Sequence, residues 1–79
     1  MLRFQPGDEV IIKERHKSIT VYRSNFIIKA IERRLIFVES NVDDERYAFD
    51  ADSLFLNDDQ NVSILLKEDY DKLNANGEF

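Results

Sequence analysis

The sequence predicts a small, mainly β domain that ends in a short helix, and three observations carry this prediction. Apolar stretches rich in β-branched and aromatic residues recur between residues 4 and 57. Short polar segments that contain turn-forming residues separate them. Toward the C-terminus the apolar spacing becomes helical, because Leu66, Tyr70 and Leu73 stand at i, i+4 and i+7. With 79 residues, 43% of them hydrophobic, the chain has the size and composition of one folded domain.

The first strand is predicted over residues 9–13, directly behind a turn. Pro6 and Gly7 are a turn pair, because proline fixes its φ angle and glycine accepts a positive one. The strand residues that follow are β-branched and apolar. The wholly polar residues 14–18 predict a long loop, and residues 19–22 predict a short extended piece beside it.

The clearest β signal in the chain is a hairpin. Residues 25–31 and residues 35–39 are two strand-like runs. Only Glu32, Arg33 and Arg34 stand between them, which is hairpin spacing. The sequence therefore predicts two antiparallel strands at the centre of the domain.

The second half of the chain predicts shorter elements. Residues 46–50 alternate polar and apolar, which is typical of a strand with one solvated face. Residues 51–56 predict a tight turn that leads into a short closing strand. The polar residues 57–61 predict a linker, and the helix is expected at about residues 66–75. This helix either packs on the sheet or contacts a second molecule.

The predicted core consists of the apolar side chains that these patterns turn inward. They are Val10, Ile12, Ile28, Ile31, Ile36, Val38, Tyr47, Phe49, Leu54, Leu56, Leu66, Tyr70 and Leu73.

The order of elements resembles the SH3-like small β-barrel, a grouping that includes KOW-type and Tudor-like modules. The likeness is carried by Pro6-Gly7-Asp8-Glu9-Val10, by residues 26–31 and 35–38, and by the segment 47–56. The resemblance implies a five-stranded, partly open barrel over residues 1–57, with residues 58–79 as an acidic linker and a C-terminal helix packed on it, in a single domain. Such barrels mostly bind peptides, methylated side chains, RNA or other proteins, so it also implies a binding module.

Charge is sorted along the chain. Residues 1–40 contain eight Lys or Arg and five Asp or Glu, whereas residues 41–79 contain three Lys or Arg and eleven Asp or Glu. The resulting formal net charge is −5. Sorted charge steers association with other molecules without identifying them. We therefore expect cations and anions to occupy separate sides of the barrel.

Two sets of charged and aromatic residues are the candidate binding residues. A basic face would bind a nucleic acid, since cations contact phosphates and rings stack on bases, and an acidic face would mimic a phosphate ladder or dock on a basic protein surface. The ordinary interpretation of each set is a solvated surface, in which lysine and arginine also protect an edge strand. The basic face comprises Arg15, Lys17, Tyr22, Arg23, Arg33 and Arg34; the acidic face comprises Asp43, Asp44, Glu45, Asp50 and Asp52.

The residues needed for catalysis are sparse. The chain has no cysteine, and its single histidine, His16, has no second histidine with which to form a metal site. Ser18, two residues away, is too close in sequence to indicate a nucleophile–base pair with His16. Two glycines are too few for a glycine-rich phosphate loop. Sequence therefore predicts no enzyme, no cofactor and no metal site.

The predicted function is that of a small acidic protein-binding module. It would act as an accessory or inhibitor protein, of the kind that phages and mobile elements encode, by docking electrostatically on a larger protein. The alternative is an RNA- or DNA-binding barrel that uses the basic N-terminal half. A homodimer is compatible with the sorted charge. The absence of cysteine and of any apolar run long enough for a membrane span leads us to expect a cytoplasmic protein with no membrane partner.

Overall fold

The computed structural model describes residues 4–56 and 59–75, and these residues form six antiparallel strands and one helix. The strands are β1 (Glu9–His16), β2 (Ile19–Glu32), β3 (Leu35–Ser40), β4 (Arg46–Asp50), β5 (Phe55–Leu56) and β6 (Asp59–Leu66), and they are followed by α1 (Lys67–Ala75).

The strands form a closed barrel in which each strand pairs with the next one along the chain. β6 returns to pair with β1, from Val10↔Leu66 to Glu14↔Val62, and this ladder closes the sheet on itself. The mainly β class and the short C-terminal helix are therefore confirmed. The barrel differs from the prediction in having six strands and no open side among the described residues.

The sixth strand was missed because its first residues are polar. Residues 57–61 predicted a linker, of which Asn57 and Asp58 lie outside the described residues. Asp59–Leu66 is a strand whose residues Val62, Ile64 and Leu66 are buried in the barrel. These three side chains alternate with Ser63 and Leu65, which is the period of a strand. Gln60 and Asn61 are exposed, so the strand begins beyond the edge of the core.

The predicted long first loop is also wrong, because β1 and β2 continue through most of it. A two-residue turn, Lys17-Ser18, joins His16 to its partner Ile19. β2 then runs without a break to Glu32, and its ladder with β1 shifts register between Val10↔Phe26 and Ile12↔Arg23. Asn25 has a φ of 71° at this bulge, and the bulge bends β2 so that its second part pairs with β3.

The core agrees largely with the predicted set. Seven predicted members are buried: Val10, Ile12, Ile28, Ile36, Val38, Phe49 and Leu66. Four more, Ile31, Tyr47, Leu54 and Leu56, are partly buried against them. The sequence reasoning missed Phe4, Ile11, Phe26, Val62 and Ile64, all of which are buried.

The helix covers the outside of the barrel along β1 and β6. It contacts both strands, and the ring of Tyr70 lies 5.2 Å from the ring of Tyr22 on β2. Ile11, which points outward because Val10 and Ile12 point inward, is only 2% exposed. The predicted core residues Tyr70 and Leu73 are therefore half-buried on the outer surface and not inside the barrel.

The turn between β2 and β3 is strained, and relaxing it should stabilise the protein. Arg33 and Arg34 have φ angles of 50° and 70°, and two positive φ angles in succession are the geometry for which Asn-Gly is favoured. Each arginine costs about 1 kcal/mol in this conformation. We expect Arg33→Asn with Arg34→Gly to raise the free energy of unfolding in urea by about 1–2 kcal/mol. Arg34→Lys, whose backbone has the same limits, is the control, and equal stability of the double variant and the wild type would contradict the argument.

Candidate functional site

The candidate site lies at one end of the barrel, which we call the hairpin end. It comprises the β1–β2 turn at residues 17–18 and the β3–β4 loop at residues 41–45. Because consecutive strands are antiparallel, these two connections lie at the same end. The turns at residues 33–34 and 51–54 lie at the opposite end, which we call the turn end.

The side chain of Arg23 lies at the hairpin end of the barrel and contacts residues from several strands. Arg23 Nη1 donates a hydrogen bond of 3.2 Å to the Tyr47 hydroxyl, and Nη2 donates to the Glu45 carboxylate. The guanidinium carbon lies 5.3 Å from the centre of the Phe26 ring, and Nη1 lies 3.6 Å from a Glu14 carboxylate oxygen. One cation thus connects β1, β2, β4 and the β3–β4 loop.

Strand alternation explains why this cluster forms. Glu14 follows Val10 and Ile12 on the inner side of β1, and its partner across the hairpin is Val21. Arg23 lies two residues further on the same side of β2, above Phe26. The hydrogen bond to Tyr47, and then the one to Glu45, raise the pKa of Arg23, while its partial burial opposes them. The guanidinium therefore stays charged.

The β3–β4 loop is held by its own hydrogen bonds. Ser40 Oγ accepts from the backbone N–H groups of Val42 and Asp43 at 3.1 and 3.2 Å, and Asp43 Oδ1 accepts from the Glu45 N–H at 3.0 Å. The Asn41 N–H donates to the Asn25 carbonyl at 2.7 Å, which holds the loop against the bulge of β2. This loop is therefore largely preorganised.

Exposed large apolar side chains are concentrated at the hairpin end. Within the described ranges they are Ile19 (63% exposed), Val21 (41%) and Val42 (72%). Ile19 and Val21 lie on the inner side of β2, where the hairpin extends past the core, and Val42 lies in the adjacent loop. Exposed apolar side chains that share one end of a domain favour that end as a docking site.

The predicted basic face is divided in the structure. Arg15 and Lys17 are exposed at the β1–β2 turn, whereas Arg33 and Arg34 lie at the turn end. Tyr22 contacts Tyr70 of the helix, and Arg23 is engaged in the mouth of the barrel. The structure therefore brings Arg15, Lys17, Tyr22 and Arg23 toward the hairpin end, with the Tyr22 ring against the helix, and leaves Arg33 and Arg34 at the turn end.

The predicted acidic face is divided in the same way. Asp43, Asp44 and Glu45 are in the β3–β4 loop, and Asp50 and Asp52 are at the turn end. The Asp50 carboxylate accepts from the backbone N–H groups of Asp52 (2.7 Å) and Ser53 (3.1 Å). Asp50 thus has a local structural role.

The expectation that cations and anions occupy separate sides is wrong. Arg23 pairs with Glu45 and Arg34 pairs with Asp52, so residues of the predicted basic face contact residues of the predicted acidic face. Charge is sorted along the sequence, but the meander topology brings the two halves together at both ends of the barrel.

Protonation of Asp50 should destabilise the turn end at low pH. The hydrogen bonds from the Ser53 and Asp52 N–H groups hold the pKa of Asp50 below its usual value of 3.8. A lowered folded-state pKa adds stability above the unfolded-state pKa, and this stability is lost as the pH falls through the folded-state value. We expect Asp50→Asn to remove this component, so that its stability falls less than that of the wild type between pH 5 and pH 2, measured by urea unfolding. Equal losses in both proteins would contradict the assignment.

The possible metal ligands and the surface groove among the described residues give less support for a functional site than the hairpin end does. Across residues 4–56 and 59–75, no group of three or more His, Cys, Asp or Glu side chains is arranged to hold a metal ion. His16 Nε2 lies 3.9 Å from Glu14. An open groove of about 480 Å³ on the outer side of β2, β3 and β4 is lined by Lys29, Phe37, Glu39 and Arg46, among others. Its charges are mixed, and Arg46 pairs with Glu39 at 4.0 Å.

The sequence reasoning did not identify Ile19, Val21 and Val42 as binding residues. A signal was present, since all three are β-branched residues in or beside polar, turn-forming segments. Residues 19–22 predicted only a short extended piece, so Ile19 and Val21 were not expected at an exposed end of the barrel.

Comparison with protein-family models, with curated proteins and with solved structures finds no match to this chain. The described residues define the class: a small, closed, six-stranded antiparallel β-barrel, an architecture consistent with SH3-like and OB-like barrels. The described part of the chain contains no helix with the length and hydropathy that crossing a membrane requires.

Proposed function

We propose that the protein is a non-catalytic binding module of the SH3-like type that docks on a larger protein through the hairpin end. The observation that carries the proposal is the gathering of Ile19, Val21 and Val42, exposed, at this end of the barrel. Full burial of an aliphatic side chain of this kind contributes about 1.5–3 kcal/mol. Three of them provide a docking surface with a hydrophobic centre.

Charge at the hairpin end supports a protein partner. Lys17 is exposed on the turn, Arg15 is exposed at the end of β1, and Asp43 and Asp44 are exposed in the loop, so opposite signs flank the apolar side chains. Flanking charge of both signs orients a protein partner and sets specificity. The Arg23–Glu45 pair holds the loop next to β2, which reduces the entropy lost on binding.

Nucleic-acid binding, the alternative, has weaker support. Phe26 is 2% exposed and the Tyr22 ring lies against Tyr70, so neither ring is presented for stacking on bases. Arg33 and Arg34 lie at the other end of the barrel from Arg15 and Lys17. The mechanism proposed is steric: the module occupies a surface of its partner, as an accessory or inhibitor protein does. The absence of cysteine fits a reducing compartment such as the cytoplasm.

Affinity capture tests this function. The tagged chain is incubated with lysate of the organism that encodes it, with and without nuclease, beside the variant Ile19→Ser with Val42→Ser. We expect a nuclease-resistant protein partner whose recovery falls about tenfold or more in the variant, since each lost apolar contact weakens binding by about 1 kcal/mol. The control variant is Glu32→Ser with Arg33→Ser, which changes two exposed residues at the turn end and should retain the partner.

Two results would contradict the proposal. In the first, all captured material is lost after nuclease treatment, which would favour RNA or DNA. In the second, the turn-end variant loses the partner and the hairpin-end variant keeps it.

A further inference from the structure

We propose that the edge of β2 beside the hairpin turn binds an extended segment of the protein partner as an added antiparallel strand. This inference rests on the proposed function and specifies how the partner is bound. The ligand is a stretch of polypeptide with apolar residues at alternate positions, a basic N-terminal end and an acidic C-terminal end.

The first part of β2 lies outside the β2–β3 ladder. That ladder begins at Phe26↔Ser40, whereas β2 begins at Ile19. On its other edge the same part of β2 pairs with β1, from Ile19↔His16 to Arg23↔Ile12. The hairpin therefore extends past the barrel with one edge turned away from β1, and such an edge is a template for another strand.

Backbone geometry identifies Thr20 as the residue that offers hydrogen bonds at this edge. His16 and Ile19 flank the two-residue turn and are partners, so their backbone groups face each other. Backbone N–H and C=O groups alternate in direction along a strand. The N–H and C=O groups of Thr20 therefore point away from β1, toward an added strand.

Side chains at this edge match a strand in which apolar residues alternate with polar ones. Ile19 and Val21 lie on one side, 63% and 41% exposed, and Thr20 lies on the other. An added strand would place its apolar residues opposite them at about 4.5–5.5 Å between Cβ atoms. Soluble proteins protect edges of this kind with lysine or proline, and residues 19–21 contain neither.

Charges at the two ends of the edge set the direction of the ligand. Lys17 is exposed where β2 begins, and Asp43 and Asp44 are exposed in the loop that the Asn41–Asn25 hydrogen bond holds beside the far end. An antiparallel ligand runs from that loop toward the turn. Its first residue therefore lies near the aspartates and its last near the lysine, so a basic start and an acidic end give complementary contacts.

Binding of two synthetic peptides to the full chain tests this inference. The first is acetyl-Lys-Val-Thr-Val-Thr-Val-Glu-amide, and the second exchanges its lysine and glutamate. We expect the first peptide to shift the amide NMR signals of residues 19–21 and to bind about tenfold more tightly than the second, which places like charges together.

Two variants separate the backbone contact from side-chain effects. Thr20→Pro removes the N–H that faces away from β1, so the β1–β2 ladder is kept while peptide binding is lost. Thr20→Ala keeps the N–H and should keep binding. Val21→Lys, which places a charge on the edge, should also abolish binding and provides a second test if the proline variant unfolds.

Three outcomes would overturn the inference. One is no binding of either peptide at about 1 mM, a concentration that detects dissociation constants in the millimolar range. Another is binding that Thr20→Pro and Val21→Lys leave unchanged. The third is self-association of the free chain that Thr20→Pro and Val21→Lys each abolish. That result would assign the edge to a second copy of the chain. If Thr20→Pro still captures the cellular partner while Ile19→Ser with Val42→Ser does not, the proposed function stands and strand addition fails.

Discussion

The variant Phe49→Ala is expected to be largely unfolded at 25 °C. Phe49 is 0% exposed, lies opposite Ile36 on β3 and Leu56 on β5, and has its ring 6.3 Å from that of Tyr47. Truncating a buried phenylalanine costs about 3–5 kcal/mol, because both the transfer free energy and a residual cavity count against the folded state. A core of this size supplies only about 3–5 kcal/mol of net stability. The loss therefore equals the whole stability of the barrel.

Far-UV circular dichroism and urea unfolding measure this effect. The matched control is Phe37→Ala, which removes the same ring from the outer side of β3, where it lines an open groove. We expect that control to lose about 1 kcal/mol and to remain folded. A Phe49→Ala protein with the wild-type unfolding midpoint would show that the barrel interior is not the core described above.

Arg23→Ala should have the second largest effect, on stability and on binding together. The change removes hydrogen bonds to Tyr47 and Glu45 and leaves the carboxylates of Glu14 and Glu45 without their shared cation. The Arg23 side chain is 31% exposed, so solvent screens part of the interaction, and we expect a loss of about 1–2 kcal/mol of stability. Without this pair the loop that carries Val42 loses one of its attachments to β2, and capture of the partner should weaken as well.

Arg46→Ala is the control for this change. Arg46 is 75% exposed and its nitrogen lies 4.0 Å from Glu39, so we expect its removal to change stability by less than about 0.5 kcal/mol. Arg23→Lys keeps the charge but loses the planar guanidinium with its several donors. We expect its stability to lie between those of Arg23→Ala and Arg46→Ala. Equal stability of Arg23→Ala and Arg46→Ala in urea would contradict a structural role for the contacts that Arg23 makes with Tyr47, Glu45 and Glu14.

The sequence predicted most of the barrel because local patterns decide most of it. The apolar, largely β-branched runs at residues 10–12 and 35–38 were enough to predict strands there, and Val10, Ile12, Ile36 and Val38 are buried in the barrel. The helix was predicted at about residues 66–75 and is observed at Lys67–Ala75.

The errors have non-local causes. Residues 59–61 are polar and look like a linker, yet pairing with β1 and β5 draws the segment that they begin into a strand. Glu14 and Arg15 look like loop residues, and the ladder with β2 makes them strand residues. In both places the tertiary partner overrides the local preference.

The candidate site was only partly predictable. Arg15, Lys17, Asp43 and Asp44 were among the predicted binding residues and do lie at the hairpin end. The contact between Arg23 and Glu45, 22 residues apart, was not predictable. It depends on the bulge in β2 and on the meander order of the strands, and the composition and charge pattern of the sequence indicate neither of these features.

The most direct test of docking through the hairpin end is site-specific photo-crosslinking to the captured partner. A photoreactive amino acid is placed at position 42 in one chain and at position 52 in another. Val42 is 72% exposed and the Asp52 side chain is 63% exposed, so the two probes are similarly accessible but lie at opposite ends of the barrel. We expect a covalent adduct with the partner from position 42 and none from position 52. Crosslinking from position 52 alone, or equally from both positions, would contradict the account.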